Sequence, residues 1–253
     1  MQRFMAALQF HPGGSRDEHD SRDLRFAPSL ARIPPRADLS RFCGSCYDQY
    51  RTQSCSANAL ASALTLYAHQ HDVRLAPPSR LFMYYNARAL TGGQATDSGT
   101  TIRTAIKAAI RNGVCPERQW PFLKRNITVR PLRACYRDAQ LPPIRYRRIA
   151  QQLDLLRAAL AQGHAFIFGI QAYGQPFTEA AKSGRLRLPN KSDTLFGGHA
   201  LIATGYDSTK KTFTARNSLG RAFADDGFFA IPDAYFTNPE LTYDFWLIGG
   251  KTG

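Results

Sequence analysis

Residues 49–70 read QYRTQSCSANALASALTLYAHQ and contain the segment that decides the fold. From Cys55 onwards the stretch is rich in Ala and Leu, which are the strongest helix formers. Apolar residues recur three or four positions apart, which predicts a helix of about 15 residues. We expect it to begin at Ser54 or Cys55, because serine is a common N-terminal cap. A cysteine at that end suits thiolate chemistry, since the helix dipole stabilises negative charge there.

A second candidate nucleophile is Cys46, in the segment C-G-S-C-Y of residues 43–47, which matches the local signature around the nucleophile of papain-type peptidases. The residues after Cys46 are polar and have no helical period. Papain-like enzymes also carry a Gln amide ahead of the nucleophile to stabilise the oxyanion. Gln49 lies six residues before Cys55, whereas the residue six before Cys46 is a serine. We therefore predict Cys55 as the nucleophile and Gln49 as the oxyanion donor.

The thiol needs an imidazole, and the segment G-H-A supplies one twice, at His164 and His199. His199 is followed 18 residues later by Asn217, and it lies 144 residues after Cys55. That separation falls within the roughly 130–150 residues of papain-type Cys–His pairs. His164 opens an apolar run with no Asn at a useful distance, which favours a structural role. The predicted triad is Cys55, His199 and Asn217, with Asn217 orienting the imidazole.

Several other segments make the chain resemble the papain-like cysteine peptidases from about residue 21 to residue 247. They are YDQYRTQSCSANALA, PSRLFMYYNAR, DSGTTIR, GVCPERQWPF, GGHALIATGYD, RNSLG and DGFFAIP. The chain is most similar to a bacterial branch with a short N-terminal extension that can lie over the cleft. The resemblance implies a thiolate–imidazolium pair, a thioester intermediate and a protein or peptide substrate. It also implies substrate-binding residues at Ser98, Gly99 and Gly198, with Gly99 offering backbone hydrogen bonds.

Three features depart from the family pattern. Tyr50 follows Gln49, where the family has glycine, and Leu219 stands in N-S-L-G in place of the usual tryptophan. The pair Cys43 and Cys46 is unusual beside a catalytic loop. It could be two plain thiols, a redox clip or part of a metal site.

The pattern along the chain predicts an α+β fold with two lobes meeting at a cleft. Helical periods occur in residues 55–70, 78–90, 100–113 and 153–163, and the last third holds short strand-like runs at 165–173, 199–206, 211–216, 227–231 and 244–249. The resemblance implies a helical left lobe and a β-barrel-like right lobe. Residues 1–40 lack any helical period and predict an N-terminal extension, with the peptidase domain at 41–253.

The composition is that of a soluble globular protein, with 43% hydrophobic and 21% charged residues. The net charge of +14 allows an anionic partner, but the basic residues are spread out and form no nucleic-acid motif. No apolar run reaches the roughly 18 residues of a membrane span. The first residues show no clear export signal, so we expect a protein that is either cytoplasmic or exported by a non-classical route. The five cysteines are an odd number, which leaves at least one thiol unpaired. We expect a monomer with no metal or other cofactor.

Two functions besides peptide hydrolysis share this machinery. One is acyl transfer on a protein target, as in deamidation or transglutamination, which uses the same thioester. The other is a pseudo-peptidase that only binds, against which the full set of Gln49, Cys55, His199 and Asn217 argues. The extension is expected to occupy the cleft, because its Pro-rich stretches favour extended backbone. The alternative is a tail that lies away from the site.

Overall fold

Helices dominate the first half of the chain in a computed structural model that describes residues 11–30, 32–140 and 145–249. They are α1 Cys55–Gln70, α2 Arg80–Ala89, α3 Ile102–Asn112 and α4 Arg133–Arg137, with 3-10 turns at Ser40–Phe42 and Lys124–Asn126. The predicted helices at 55–70, 78–90 and 100–113 are therefore confirmed. α2 begins where the Ser79 side chain accepts the N–H of Phe82, and α3 ends at Gly113, whose φ of 73° favours glycine.

Strands dominate the second half. They are β4 Arg145–Arg148, β5 Phe166–Tyr173, β6 Leu195–Asp207, β7 Thr212–Arg216, β8 Phe228–Pro232 and β9 Thr242–Gly249, with α5 Leu153–Ala161, α6 Gly174–Ser183 and α7 Asp233–Phe236 between them. Three short strands lie earlier, β1 Gly14–Ser15, β2 Arg36–Asp38 and β3 Thr100–Thr101. The sheet runs β3-β1-β6-β5-β9-β4, and β6 also pairs with β2 and β7. The predicted α+β class, with a helical and a strand-rich lobe, is confirmed.

The helix α1 is the core element that joins the two lobes. It contacts α2 and α3 on the helical side and β5, β6 and β9 of the sheet. Most of its residues are buried, so little of the helix surface faces solvent. Ser54 stands at its N-terminus as predicted but does not cap it. The Ser54 hydroxyl instead hydrogen-bonds the hydroxyl of Thr52 (2.7 Å) and the amide of Asn58 (2.9 Å).

Three helices, α4, α6 and α7, were not predicted from the sequence. α6 opens with Gly174-Gln-Pro176 and ends at Gly184, whose φ is 69°. Proline in the first turn and glycine just past the end are the signals that could have found it. Within the described ranges, none of the helices is long and apolar enough to cross a membrane.

Candidate active site

Cys55 is the first residue of α1, and its side chain is completely buried. Burial raises the pKa of its thiol, and hydrogen bonds with the backbone of Gly13 and Ala200 oppose that increase. Ala200 directly follows His199 on β6. The contact of its backbone with the sulfur therefore places the thiol beside that histidine.

His199 lies in the middle of the sheet, opposite Ile170 of β5, and is also fully buried. Its Nε2 lies 2.9 Å from Oδ1 of Asn217. An amide oxygen only accepts, so Nε2 donates in this bond, and Nδ1 is the acceptor of the neutral ring. Burial lowers the pKa of His199 to about 4, while the hydrogen bond with Asn217 acts in the opposite direction.

An aromatic side chain of α6 fixes the histidine ring from a second side. The rings of Phe177 and His199 meet edge to face, with centroids 6.1 Å apart and an interplanar angle of 79°. Sequence reasoning missed Phe177 because it missed α6.

A chain of neutral hydrogen bonds links Asn217 to Gln49. Oδ1 of Asn217 also accepts the N–H of Ser218 (2.8 Å), and the Ser218 hydroxyl donates to Oε1 of Gln49 (2.7 Å). Nε2 of Gln49 donates one hydrogen to the carbonyl of Thr52 (2.8 Å). The same nitrogen carries a second hydrogen, which is the one that an oxyanion could receive. Gln49 is completely buried, so its amide is held in one orientation.

Residues 13–15, in the segment predicted to be an N-terminal extension, cross the cleft beside Cys55. The carbonyl of Gly13 accepts the N–H of Thr100 (3.1 Å), and Gly14 pairs with Gly198. β1 thus runs parallel to β3 and antiparallel to β6, and joins the two lobes. A Cβ at position 13 would lie 2.2 Å from the carbonyl oxygen of Gln53, so only glycine fits there.

Charged residues hold the extension where it leaves the cleft. We call Asp17, Asp23, Arg103, Arg148 and Asp244 the anchor cluster. The Asp17 N–H donates to Asp244 (2.6 Å), Arg103 pairs with Asp23 (2.9 Å), and Arg148 pairs with Asp244 (2.5 Å). Burial raises the pKa of Asp244 to about 6, and the nearby carboxylate of Asp17 adds to this increase, while Arg148 opposes it. The cluster ties residues of the extension to α3 of one lobe and to β4 and β9 of the other.

Comparison with known proteins gives two relatives with substantial sequence identity. An uncharacterised peptidase C1-like protein of Acanthamoeba polyphaga mimivirus is 33% identical over 212 residues, which cover 79% of this chain and 68% of that protein. The crystal structure of xylellain, a cysteine protease from Xylella fastidiosa, aligns with a TM-score of 0.90 and 38% identity over 96% of this chain and 97% of its own. The chain belongs to the papain-like cysteine peptidase family. It is therefore a cysteine-type peptidase.

Solved structures with lower sequence identity show the same fold. Procathepsin B of Trypanosoma congolense aligns with a TM-score of 0.76 at 16% identity, over 98% of this chain and 89% of that one. No family model matches the chain.

The structure shows how the chain accommodates Tyr50 and Leu219, its two departures from the papain-like pattern in the loops beside the site. Tyr50 takes a φ of 51°, the left-handed conformation that glycine adopts most readily, and Asp48 accepts its N–H. The loop turn is therefore kept without glycine. Leu219 is half-buried and forms a β-bridge with Asp48, which joins the loop after Asn217 to the loop before Gln49.

Cys46 and His164 were the alternatives to Cys55 and His199 in the sequence, and their environments differ from those of Cys55 and His199. The sulfur of Cys46 donates to the backbone carbonyl of Asn217 (3.5 Å), and burial raises the pKa of both Cys46 and Cys43. Neither heads a helix, and all five cysteines are free thiols. The described residues hold no His, Cys, Asp or Glu group able to bind a metal ion around this pair. His164 packs its ring against Phe26, outside the catalytic group.

The residues predicted to bind substrate lie along the extension or next to it. Gly198 pairs with Gly14, as an extended peptide would require. The N–H of Gly99 donates to the hydroxyl of Tyr84 (2.9 Å), and the N–H that meets the extension belongs to the next residue, Thr100. Ser98 is exposed at the edge of this segment.

Proposed function

We propose that this peptidase hydrolyses peptide bonds through Cys55, His199 and Asn217, with Gln49 stabilising the oxyanion. The observation that carries the proposal is the hydrogen bond between His199 Nε2 and Asn217, made beside a thiol at the N-terminus of α1. In the reaction the thiolate of Cys55 attacks the peptide carbonyl and forms a thioester. His199 protonates the leaving amine, and water then releases the acid. Nothing in the described ranges favours the acyl-transfer alternative over hydrolysis.

The closed chain shields the proposed catalytic pair from water. Burial raises the pKa of Cys55 and lowers that of His199, so both shifts disfavour a thiolate–imidazolium pair. Opening of the cleft would admit water and reverse both shifts. Opening of the cleft should therefore favour the ion pair predicted from the sequence.

The triad is tested by comparing Cys55→Ala with Cys46→Ala on one fluorogenic peptide. Loss of the nucleophile should reduce kcat by about 10⁴- to 10⁶-fold. Cys46→Ala should keep most of the activity, because its sulfur hydrogen-bonds the backbone carbonyls of Tyr47 and Asn217 and lies near Arg216, a side chain outside the proposed triad. An inactive Cys46→Ala together with an active Cys55→Ala would reverse the choice of nucleophile.

We further propose that residues 1–40 form an inhibitory extension of a peptidase domain at 41–253. Residues 12–15 of the extension lie where an extended substrate would pair with β3 and β6, and Cys55 and His199 are fully buried beneath them. The extension runs parallel to β3, and β2 anchors its C-terminal part on β6. Residues 1–10 lie outside the described ranges.

A full-length variant tests, without truncation, whether the extension restrains the enzyme by covering its cleft. Gly13→Val places a side chain where only 2.2 Å separates Cβ from the Gln53 carbonyl, so the extension should leave the cleft. The apparent KM should then fall by about tenfold or more, because a larger fraction of the enzyme is open. Ser15→Ala is the matched control, since Ser15 is exposed and should leave KM unchanged. Equal KM values for Gly13→Val and the parent chain would refute the restraint, and a chain beginning at Ser21 gives an independent check.

A further inference from the structure

One surface segment of the helical lobe concentrates positive charge, although basic residues occur throughout the sequence. We call residues 123–137, LKRNITVRPLRACYR, the basic segment; it includes the 3-10 turn Lys124–Asn126 and helix α4. It carries five Lys and Arg residues and no Asp or Glu, which gives it a net charge of +5 in a chain whose total is +14. More than a third of the excess charge of the protein therefore lies in this one segment.

Buried residues at every fourth position hold the basic segment against the body of the lobe. They are Ile127, Pro131 and Cys135. The carbonyl of Ile127 accepts a hydrogen bond from the buried side chain of Arg88, and the hydroxyl of Tyr136 donates to the amide oxygen of Asn86 (3.1 Å). Arg88 and Asn86 both belong to α2, so the segment is fixed on that helix. It contributes no residue to the proposed catalytic group or to the anchor cluster.

The side chains that the basic segment exposes are cationic or apolar, with one exception. They are Leu123, Lys124, Arg125, Val129, Arg130, Leu132, Arg133 and Arg137, and the exception is Thr128. Leu132 is 61% exposed and Val129 is 48% exposed. Single exposed apolar side chains are common on protein surfaces, but here they alternate with cations on a segment that has no acidic residue.

The acidic residues on either side of the basic segment leave most of its charge unbalanced. Glu117, which precedes the segment, pairs with Arg80 of α2 (2.9 Å). Asp138, which follows it, pairs with Arg137 (2.7 Å). The other four cations of the segment form no ion pair with a carboxylate in the described ranges. They are therefore available to an anionic partner.

We propose that the basic segment docks the protein on a membrane surface rich in anionic phospholipid. Peripheral proteins bind such surfaces with cations around exposed apolar side chains, because the cations meet the phosphate groups while the apolar side chains enter the boundary of the acyl chains. A nucleic acid would meet the same cations, but its phosphate backbone offers no apolar interior to Val129 and Leu132. The inference goes beyond the proposed peptidase reaction and does not depend on it.

Sedimentation with lipid vesicles tests the docking surface in the full-length chain. One set of vesicles contains phosphatidylcholine alone, and the other contains phosphatidylcholine and phosphatidylglycerol in equal amounts. The parent chain should bind the anionic vesicles only. A triple variant with Lys124→Gln, Arg125→Gln and Arg133→Gln should bind them about 100-fold more weakly, because each cation near an anionic surface contributes about fivefold to the affinity. A parent chain that does not bind the anionic vesicles would overturn the proposal.

A second triple variant controls for the net charge of the whole protein. It combines Arg185→Gln, Lys191→Gln and Lys211→Gln, which remove the same charge from exposed positions of the strand-rich lobe. Because these positions lie outside the basic segment, the affinity for anionic vesicles should fall by less than about fivefold. Equal losses in the two triple variants would overturn the assignment of the docking surface to the basic segment.

A single apolar substitution distinguishes lipid from nucleic acid as the partner. Leu132→Ser keeps every charge and should weaken binding to the anionic vesicles by about five- to tenfold, because this side chain no longer enters the acyl boundary. Binding of a single-stranded DNA oligonucleotide should be the same in Leu132→Ser and the parent chain. Vesicle binding that Leu132→Ser leaves unchanged, or an oligonucleotide that binds the parent chain more tightly than the vesicles do, would overturn the membrane as the partner.

Discussion

The hydrogen bonds that hold the proposed catalytic side chains differ in kind from those that hold the proposed extension over them. Gln49, His199, Asn217 and Ser218 are buried and joined by neutral hydrogen bonds. The anchor cluster consists of charged groups, and the side chain of Arg148 is 32% exposed. Salt and pH act strongly on charged pairs and weakly on neutral buried bonds. Changes in salt or pH should therefore loosen the extension while the proposed catalytic side chains keep their hydrogen bonds.

The largest effect is expected inside the neutral network. His199→Ala should reduce kcat/KM by at least about 10³-fold, because the nucleophile loses its base and its proton donor. His164→Ala is the control within the same sequence motif, and it should stay within about twofold of the parent chain. The comparison is made with one fluorogenic peptide in the Gly13→Val background. A His164→Ala variant as inactive as His199→Ala would show that the choice between the two histidines was wrong.

A smaller loss is expected for the oxyanion donor. Gln49→Ala should lower kcat by about 10²- to 10³-fold with little change in KM, because the amide acts mainly in the transition state. Gln175→Ala removes a glutamine whose amide bonds only Glu179 at the surface, and it should leave kcat unchanged. An unchanged kcat in Gln49→Ala would remove that residue from the mechanism.

Breaking the anchor cluster should change activity in the opposite direction. Arg103→Ala removes the pairs with Asp17 and Asp23 and should lower the apparent KM of the full-length chain by about three- to tenfold at 0.1 M salt. The gain should shrink at 1 M salt, where the parent chain is itself partly released. Arg22→Ala breaks only an exposed pair with Asp20 and serves as the control. A KM of Arg103→Ala that equals that of the parent chain at both salt concentrations would show that charge does not hold the extension.

The smallest effect is expected on the pH dependence of the free energy of unfolding, which the anchor cluster should change and the neutral network should not. The pKa of Asp244 is raised from 3.8 to about 6 in the folded protein, so the folded state binds the proton more tightly than the unfolded state. Its contribution to stability is complete below pH 4 and is lost as pH rises through 6. Urea unfolding of the parent chain should therefore lose about 1 kcal/mol more than Asp244→Asn between pH 5 and pH 7.5. Parallel pH profiles of the two chains would contradict the shifted pKa.

Much of this architecture could be predicted because the local sequence pattern of these segments matches the secondary structure that they adopt in the fold. The Ala- and Leu-rich run after Cys55 forms α1 as expected, and the strand runs around His199 and after Asn217 form β6 and β8. The hydrogen bond between His199 and Asn217 was expected from their order and spacing alone.

What could not be predicted depends on contacts between distant parts of the chain. The short strands β1 and β3 have no periodic signal, since each is two residues long and forms only by pairing with a distant part of the chain. The anchor cluster joins residues more than 70 positions apart, as the pair between Arg103 and Asp23 shows. The acidic residues at 17, 18, 20 and 23 lie in a chain with a net charge of +14, but the sequence pattern does not indicate which basic residues pair with them. The expected anionic partner and monomeric state stay predictions.

Labelling of the cysteines by an epoxide probe tests the central claim most directly, that Cys55 is the nucleophile and that the extension covers it. Full-length parent chain and Gly13→Val are treated with the probe, and the modified residue and its labelling rate are mapped by peptide mass spectrometry. The label should appear on Cys55 alone, and at least about tenfold faster in Gly13→Val, because the extension no longer shields the thiol. Labelling of Cys46 in place of Cys55, or equal rates in the two chains, would contradict the account.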